Sequence, residues 1–220
     1  MYSGRQVVNP IPSRGVARRY EQRIRAQTAE DTRRRILDAV YERLREAPSE
    51  PVSVDRIARM AGVARSTVYL IFGSRAGLFD ALAGDLMERA GFAELVEAVR
   101  HPDAREHMRG GITVASRMFA AERDVLRALF SMALLDEEAV GDAIRRSEAE
   151  RSRGMQRLAR RLDEQGLLRE GVTIADATHL LWVLTSFDAF DLLYTGRRLS
   201  LDEVPQLLVE GAERAVLRDG

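Results

Sequence analysis

Arg65, Ser66 and Thr67 form a run of side chains whose chemistry suits a nucleic acid. The planar arginine fork can meet guanine O6 and N7 together, and a threonine methyl can touch a thymine methyl. Each of the three can also bond a phosphate, so base contact and backbone contact both stay open for Arg65 and Thr67. Ser53 and Arg75 flank the run at the expected starts of two helices. There the free N–H groups and the helix dipole favour an anion, and both residues are expected to bond phosphates.

Contacts of this kind require the Arg65–Thr67 run to sit on the leading turn of a helix held out from the body. Ala58, Gly62 and Val68 have the spacing that builds such a support, a helix-turn-helix. Ala58 falls where the two helices cross, so a larger side chain would push them apart. Gly62 falls in the turn, where a positive φ penalises a Cβ. Val68, with Ile57 and Val63, fills the angle between the helices. The motif usually sends its second helix into the DNA major groove.

The neighbouring elements follow from periodicity and breakers. Ile36, Leu37, Val40, Tyr41 and Leu44 recur at helical spacing and predict a first helix from about Ala29 to Glu46, ended by Pro48 and Pro51. Ser53 is the expected N-cap of Val54–Met60. The second helix of the motif starts at Ala64 or Arg65 and runs to about Phe72. Ser74 caps a longer helix, Arg75 to Ala90, with Leu78, Phe79, Leu82 and Leu86 on one face. Beyond it, helices are expected near 92–100, 103–120, 122–134, 137–165, 173–195 and 200–218, the fifth of these six bounded by Gly171 and Gly196. Gly141 and Gly154 mark places where 137–165 can bend or split. Alternating strand patterns are absent, so the fold class is all-α with about nine helices.

The formal charge of the chain is zero, but it is unevenly spread. Residues 1–75 carry 15 Arg against 8 Asp+Glu, a net of +7, and residues 76–220 carry 19 Arg against 26 acids, a net of −7. A basic, DNA-facing part on an acidic remainder is the reading this supports. All 34 basic residues are arginine. Residues 1–28 are expected to form a flexible basic N-terminal arm; its segment 16–28 reads equally as an ordered extension of the next helix. The absence of cysteine excludes disulfides and thiolate metal sites, and neither a metal nor a cofactor is expected. No apolar run reaches transmembrane or signal-peptide character, which predicts a cytoplasmic protein with no membrane partner.

The run Val63–Phe79, with its lead Thr32–Ala39, resembles the DNA-binding segment of TetR-family transcriptional regulators. Val68-Tyr69, Phe72 and the Ser74-Arg75 pair carry the likeness. It implies an N-terminal three-helix DNA-binding domain, 29–73, and a C-terminal effector-binding and dimerisation domain, 74–220. It implies a homodimer on a pseudo-palindromic operator in double-stranded DNA, probed by a small-molecule effector that releases the repressor. Tyr69 matches the family's phosphate-bonding tyrosine; a half-buried structural tyrosine is the other reading. Leu70 and Ile71 depart from the pattern, which commonly has a polar residue and a histidine there. That departure leaves an alternative, a TetR-like interaction protein with weak or lost DNA binding.

Downstream, a pocket needs apolar walls and a few orienting polar groups. Met118, Phe119, Phe130, Trp182 and Phe187 are the candidate walls, and His107, Arg117, His179, Thr185 and Asp188 the candidate polar groups. Asp188 and Asp191 admit three roles: ion pairs with arginine, an effector contact, or solvent exposure. The helices at 173–195 and 200–218 are apolar over wide arcs and must be covered on more than one side, as in an intersubunit bundle. No phosphate loop, nucleophile elbow or paired histidines appear, so an enzyme is not expected and no residue is assigned a catalytic role.

Overall fold

A computed structural model describes the backbone of residues 14–48 and 50–218 and, apart from 14–22, 24 and 25, their side chains. The regular structure among the described residues is helical. It comprises α1 (Arg14–Glu46), α2 (Val54–Ala61), α3 (Arg65–Phe72), α4 (Arg75–Arg89), α5 (Phe92–Ala98), α6 (Ala104–Ala121), α7 (Arg123–Ala133), α8 (Asp142–Glu164), α9 (Ile174–Leu184), α10 (Phe187–Asp191) and α11 (Glu203–Val216). Single π-turns at Glu137–Gly141 and Leu192–Gly196 precede α8 and follow α10. None of these helices is long and apolar enough to cross a membrane.

Three boundaries differ from expectation, each for a local reason. The first helix begins at Arg14 rather than near Ala29. No proline or glycine interrupts the Arg-, Gln- and Ala-rich stretch after Gly15, so the ordered extension, not a flexible arm, is found from residue 14. The part of the expected arm before residue 14 lies outside the described residues. The span 173–195 breaks after Leu184, because the Thr185 hydroxyl bonds back to Leu181 O and the Ser186 side chain accepts from Ala189 N to start a new helix. The span 137–165 changes pitch at Gly141, whereas Gly154 stays inside an unbroken α8.

Two apolar cores result. In the first, Ile36, Val40 and Leu44 of α1 meet Ile57 of α2, Val68 of α3 and Leu78 and Leu82 of α4. This core does not stop at the end of the helix-turn-helix. Val125, Ala128, Leu129 and Met132 of α7 belong to it, as do Ala139, Val140 and Ala143 around the start of α8. The second core joins Met108 and Ile112 of α6, Leu158 and Leu162 of α8, Leu181 of α9, Phe187 and Phe190 of α10, and Val204 and Leu208 of α11. Leu126 of α7 packs against both cores and Phe130 against the second, so α7 is their common wall.

Charged groups seam α1 to α4. Asp85, buried on α4, takes ion pairs from Arg34 of α1 and Arg89 of α4, and Arg89 also reaches Asp38 of α1. The Arg89 guanidinium lies 4.6 Å from the centre of the Tyr41 ring. Burial, then a hydrogen bond with Glu122 at the head of α7, pushes the Tyr41 pKa up. A carboxylate so placed is stable only while its partners remain.

The junction of α3 and α4 is tight. The Ser74 side chain caps α4 by accepting from Gly77 N at 2.9 Å, and this folds Gly77 onto the end of α3. A Cβ on Gly77 would stand 2.1 Å from the Phe72 carbonyl oxygen. Gly77→Ala should therefore destabilise the protein by about 1–3 kcal/mol in urea unfolding. Gly84→Ala is the control: a Cβ there meets nothing within 4 Å, and it should stabilise α4 by about 0.5–1 kcal/mol. Equal effects of the two substitutions would show that the junction is not close-packed.

Candidate nucleic-acid interface

The turn between α2 and α3 is closed by backbone geometry. Gly62 adopts φ 64° and ψ 39°, the left-handed region, and Val63 N donates to Ala58 O at 2.9 Å. Arg35 of α1 donates to Ala61 O at 3.3 Å, meeting a carbonyl at the negative end of α2. Ala58 is buried at the helix crossing and Val68 plugs the angle, as their spacing predicts. Val68 and Phe72 bury one side of α3, and Ile71 packs against the same core. Arg33 covers the outer face of the Phe72 ring, its guanidinium carbon 5.0 Å from the centroid.

The opposite side of α3 is open. Arg65, Ser66, Tyr69 and Leu70 are exposed and Thr67 is half-buried. Arg65 does not hang free. Its Nη1 donates to the Asp55 carboxylate of α2 at 3.2 Å, and its Nη2 approaches the Tyr69 hydroxyl at 3.5 Å, one turn along α3. Its guanidinium carbon lies 5.6 Å from the Tyr69 ring centre. These contacts use the two Nη atoms of its five-donor fork, and the side chain remains more than half exposed. Asp55 was not flagged by sequence; it lies ten residues before Arg65, a pairing only the helix crossing creates.

Ser53 occupies the N-cap position of α2 with an extended backbone, but its hydroxyl makes no cap bond. Its side chain is exposed beside the first turn of α2. Arg75 is placed differently from expectation. It donates to Val52 O at 3.2 Å, pairs with Asp136 between α7 and the π-turn, and lies 5.4 Å from the Phe79 ring centre. Its side chain is one-third exposed and bridges the helix-turn-helix to the segment after α7.

Residues 36–82 match the family described as bacterial regulatory proteins of the tetR family. YdeS, an HTH-type transcriptional regulator of Bacillus subtilis (strain 168), is 27% identical over 187 residues, covering 82% of this chain and 87% of that protein. Residues 36–82 thus carry a tetR-family segment, and the chain as a whole is similar to TetR-family transcriptional regulators. NalD, the secondary repressor of the MexAB-OprM multidrug efflux pump in Pseudomonas aeruginosa, superposes with a TM-score of 0.66 at 25% identity, over 88% of this chain and 100% of that one. A TetR family transcription regulator from Marinobacter aquaeolei VT8 shares the fold, with a TM-score of 0.64 at 19% identity over 88% of this chain and 100% of that one.

In this chain the candidate effector residues only partly converge. Phe119, Phe130 and Phe187 meet ring to ring: Phe119–Phe187 centroids are 5.7 Å apart and edge-on, and Phe130–Phe187 centroids 5.2 Å. Phe119 and Thr185 also line an internal cavity of about 10 Å³, with Ile112, Ser116 and Leu208. That is room for about one water at most. Met118 is buried on α6 without lining this cavity. Trp182 lies at the surface of α9, where Arg151 stacks on its ring at 5.1 Å and donates to its carbonyl at 2.5 Å. His107 belongs to a latch. Arg161 donates to His107 Nδ1 at 2.7 Å and to the carbonyls of His101 and Pro102. Burial, then the nearby Arg161 charge, pulls the His107 pKa down to about 4, so the ring is a neutral acceptor.

Asp191 resolves as an ion-pair residue: Arg123 and Arg127 of α7 both bond it, and Arg127 approaches Asp188 at 3.5 Å. A larger open groove of about 480 Å³ runs between α6 and α11, bordered by Arg109, Arg117, Leu201 and Val209. Of the candidate effector residues, Arg117 lines it and the others do not.

The Arg75–Asp136 bridge ties the helix-turn-helix to α7, and its strength is measurable. A double-mutant cycle of Arg75→Ala and Asp136→Ala in urea unfolding should return a coupling energy of about 0.5–2 kcal/mol. Strict additivity of the two substitutions would show that no bridge forms in solution.

Proposed function

We propose that this regulator reads a pseudo-palindromic operator in duplex DNA as a homodimer, and that a small-molecule effector releases it. The observation that carries the reading is the division of α3 into a buried side and an exposed polar side led by Arg65. On this reading Arg65 meets a base edge from the leading turn of α3. Ser66, Thr67 and Tyr69 bond the edges and backbone around it, and Ser53 bonds a phosphate at the head of α2. Asp55 and Tyr69 hold the Arg65 guanidinium while its side chain stays more than half exposed.

Dimer formation is supported by apolar side chains left open on α9, the following π-turn and α11. Leu180, Val183, Leu192 and Leu207 are exposed, Leu192 by 68%. Exposed apolar area of this kind marks an interface, and a two-fold axis through it would give two α3 helices and two half-sites. The similarity to NalD, a repressor, supports a repressor role here. An effector would enter among Phe119, Phe130, Phe187 and Thr185, with Met118 and Trp182 behind and beside them and His107 more remote. The closed interior means that binding must open α6, α7 and α10, and α7 also walls the helix-turn-helix core. A ligand that binds the opened form better shifts the population away from the DNA-bound arrangement.

Anisotropy measurements on DNA flanking the gene should show tight binding that falls steeply as salt rises. Arg65→Ala should cost about 1–3 kcal/mol and relax preference at one base pair in a randomised-operator selection. Binding that ignores both sequence and salt would overturn the reading. For the interface, Val183→Arg should yield a monomer in analytical ultracentrifugation while the helical content stays unchanged. A dimer that persists would place the seam elsewhere.

A further inference from the structure

Leu70 is 85% exposed on a helix where Val68 and Phe72 are buried and Ile71 is half-buried against the same core. It stands one turn after Ser66 and next to Tyr69, on the face that Arg65 leads. A solvent-facing leucine in an eight-residue helix contributes nothing to the core. Its neighbours on that face are hydrogen-bonding side chains rather than the contiguous apolar patch that a protein partner or a second copy would require. The same stretch belongs to the basic third of the chain.

We propose that Leu70 is a specificity-determining residue that reads the methyl group of a thymine in the major groove. The proposal rests on α3 lying in that groove, as argued above. A branched aliphatic end can neither donate to nor accept from a phosphate, and against a phosphate it would lose hydration for nothing. Of the groups that base pairs display in the major groove, the thymine methyl is the apolar one. Contact with it removes apolar surface on both sides from water. The helix rise puts Leu70 about 7.5 Å along the axis from Arg65, which corresponds to about two base-pair steps. Each half-site would therefore carry a thymine about two base pairs from the position that Arg65 reads. Arg65 supplies directional recognition by hydrogen bonds and Leu70 supplies shape and methyl recognition.

The test replaces, one at a time, each thymidine of a selected operator half-site by deoxyuridine, which removes the methyl and keeps the pairing edge. Wild-type protein should lose about three- to fivefold in affinity at one position and little elsewhere. Leu70→Ala, at an exposed position that leaves the core intact, should bind thymidine and deoxyuridine operators alike while keeping the preference set by Arg65. Two results overturn the proposal with the α3 reading left standing: sequence-selective binding that no deoxyuridine weakens, or an unchanged deoxyuridine penalty in Leu70→Ala. Absence of any sequence-selective duplex binding overturns the α3 reading, and the thymine contact with it.

Discussion

An eight-residue helix has no lasting shape of its own in water. Helix α3 has one because Val68 and Phe72 are sunk into a core shared with α1, α2 and α4. That anchorage is the constraint on which the exposed face depends: a rotation of α3 by one residue, about 100°, would turn Arg65 and Tyr69 toward the core. The constraint is tightened at both ends. Gly62 turns the chain sharply at the entry, and Gly77 lets the start of α4 lie against the carbonyl end of α3 at the exit. The recognition surface is thus the by-product of packing on its reverse side.

The same core explains how a distant event could reach α3. The first core takes in one face of α7 and the π-turn region before α8, so the helix-turn-helix does not rest on α4 alone. Charged contacts follow the same route: Arg75 to Asp136, and Arg146 of α8 to Asp80 of α4 at 2.6 Å. Meanwhile the other face of α7 presents Phe130 to Phe187, and its arginines bind Asp191. A rigid helix with a packed surface on each side cannot adjust to one without disturbing the other. Helix α4 is joined to α1 through Asp85 and Arg89, and α7 and α8 each contribute to both cores.

How much of this was legible in the chain depends on range. The helix-turn-helix was, because Ala58, Gly62 and Val68 have steric duties that only certain residues can fill at fixed spacing. The buried stripe of α1 and the cap at Ser74 follow from periodicity and local hydrogen bonding. What was not legible is pairing between distant segments. Arg75 reads as a cation at a helix start, and nothing local reveals Asp136, sixty residues on, as its partner. His107 reads as a pocket group until Arg161 and burial remove its charge. The break after Leu184 turns on Thr185 bonding back to Leu181, a choice that a threonine near a helix end makes only in its tertiary setting.

The closed interior sets the terms on which an effector can act. The ring cluster leaves about 10 Å³ between α6, α9 and α11, so an effector seated there would have to part aromatic rings that now touch. Opening that space costs the ring contacts, so the bound form must recover more than they supply. An effector seated there would be opposed by whatever holds the rings together, including the Arg127 cation over Phe187 at 5.0 Å and the Arg123 and Arg127 pairs to Asp191. Those contacts come from α7, the helix that also walls the reading head. An effector that parted the rings would therefore disturb a helix that also packs against the helix-turn-helix core.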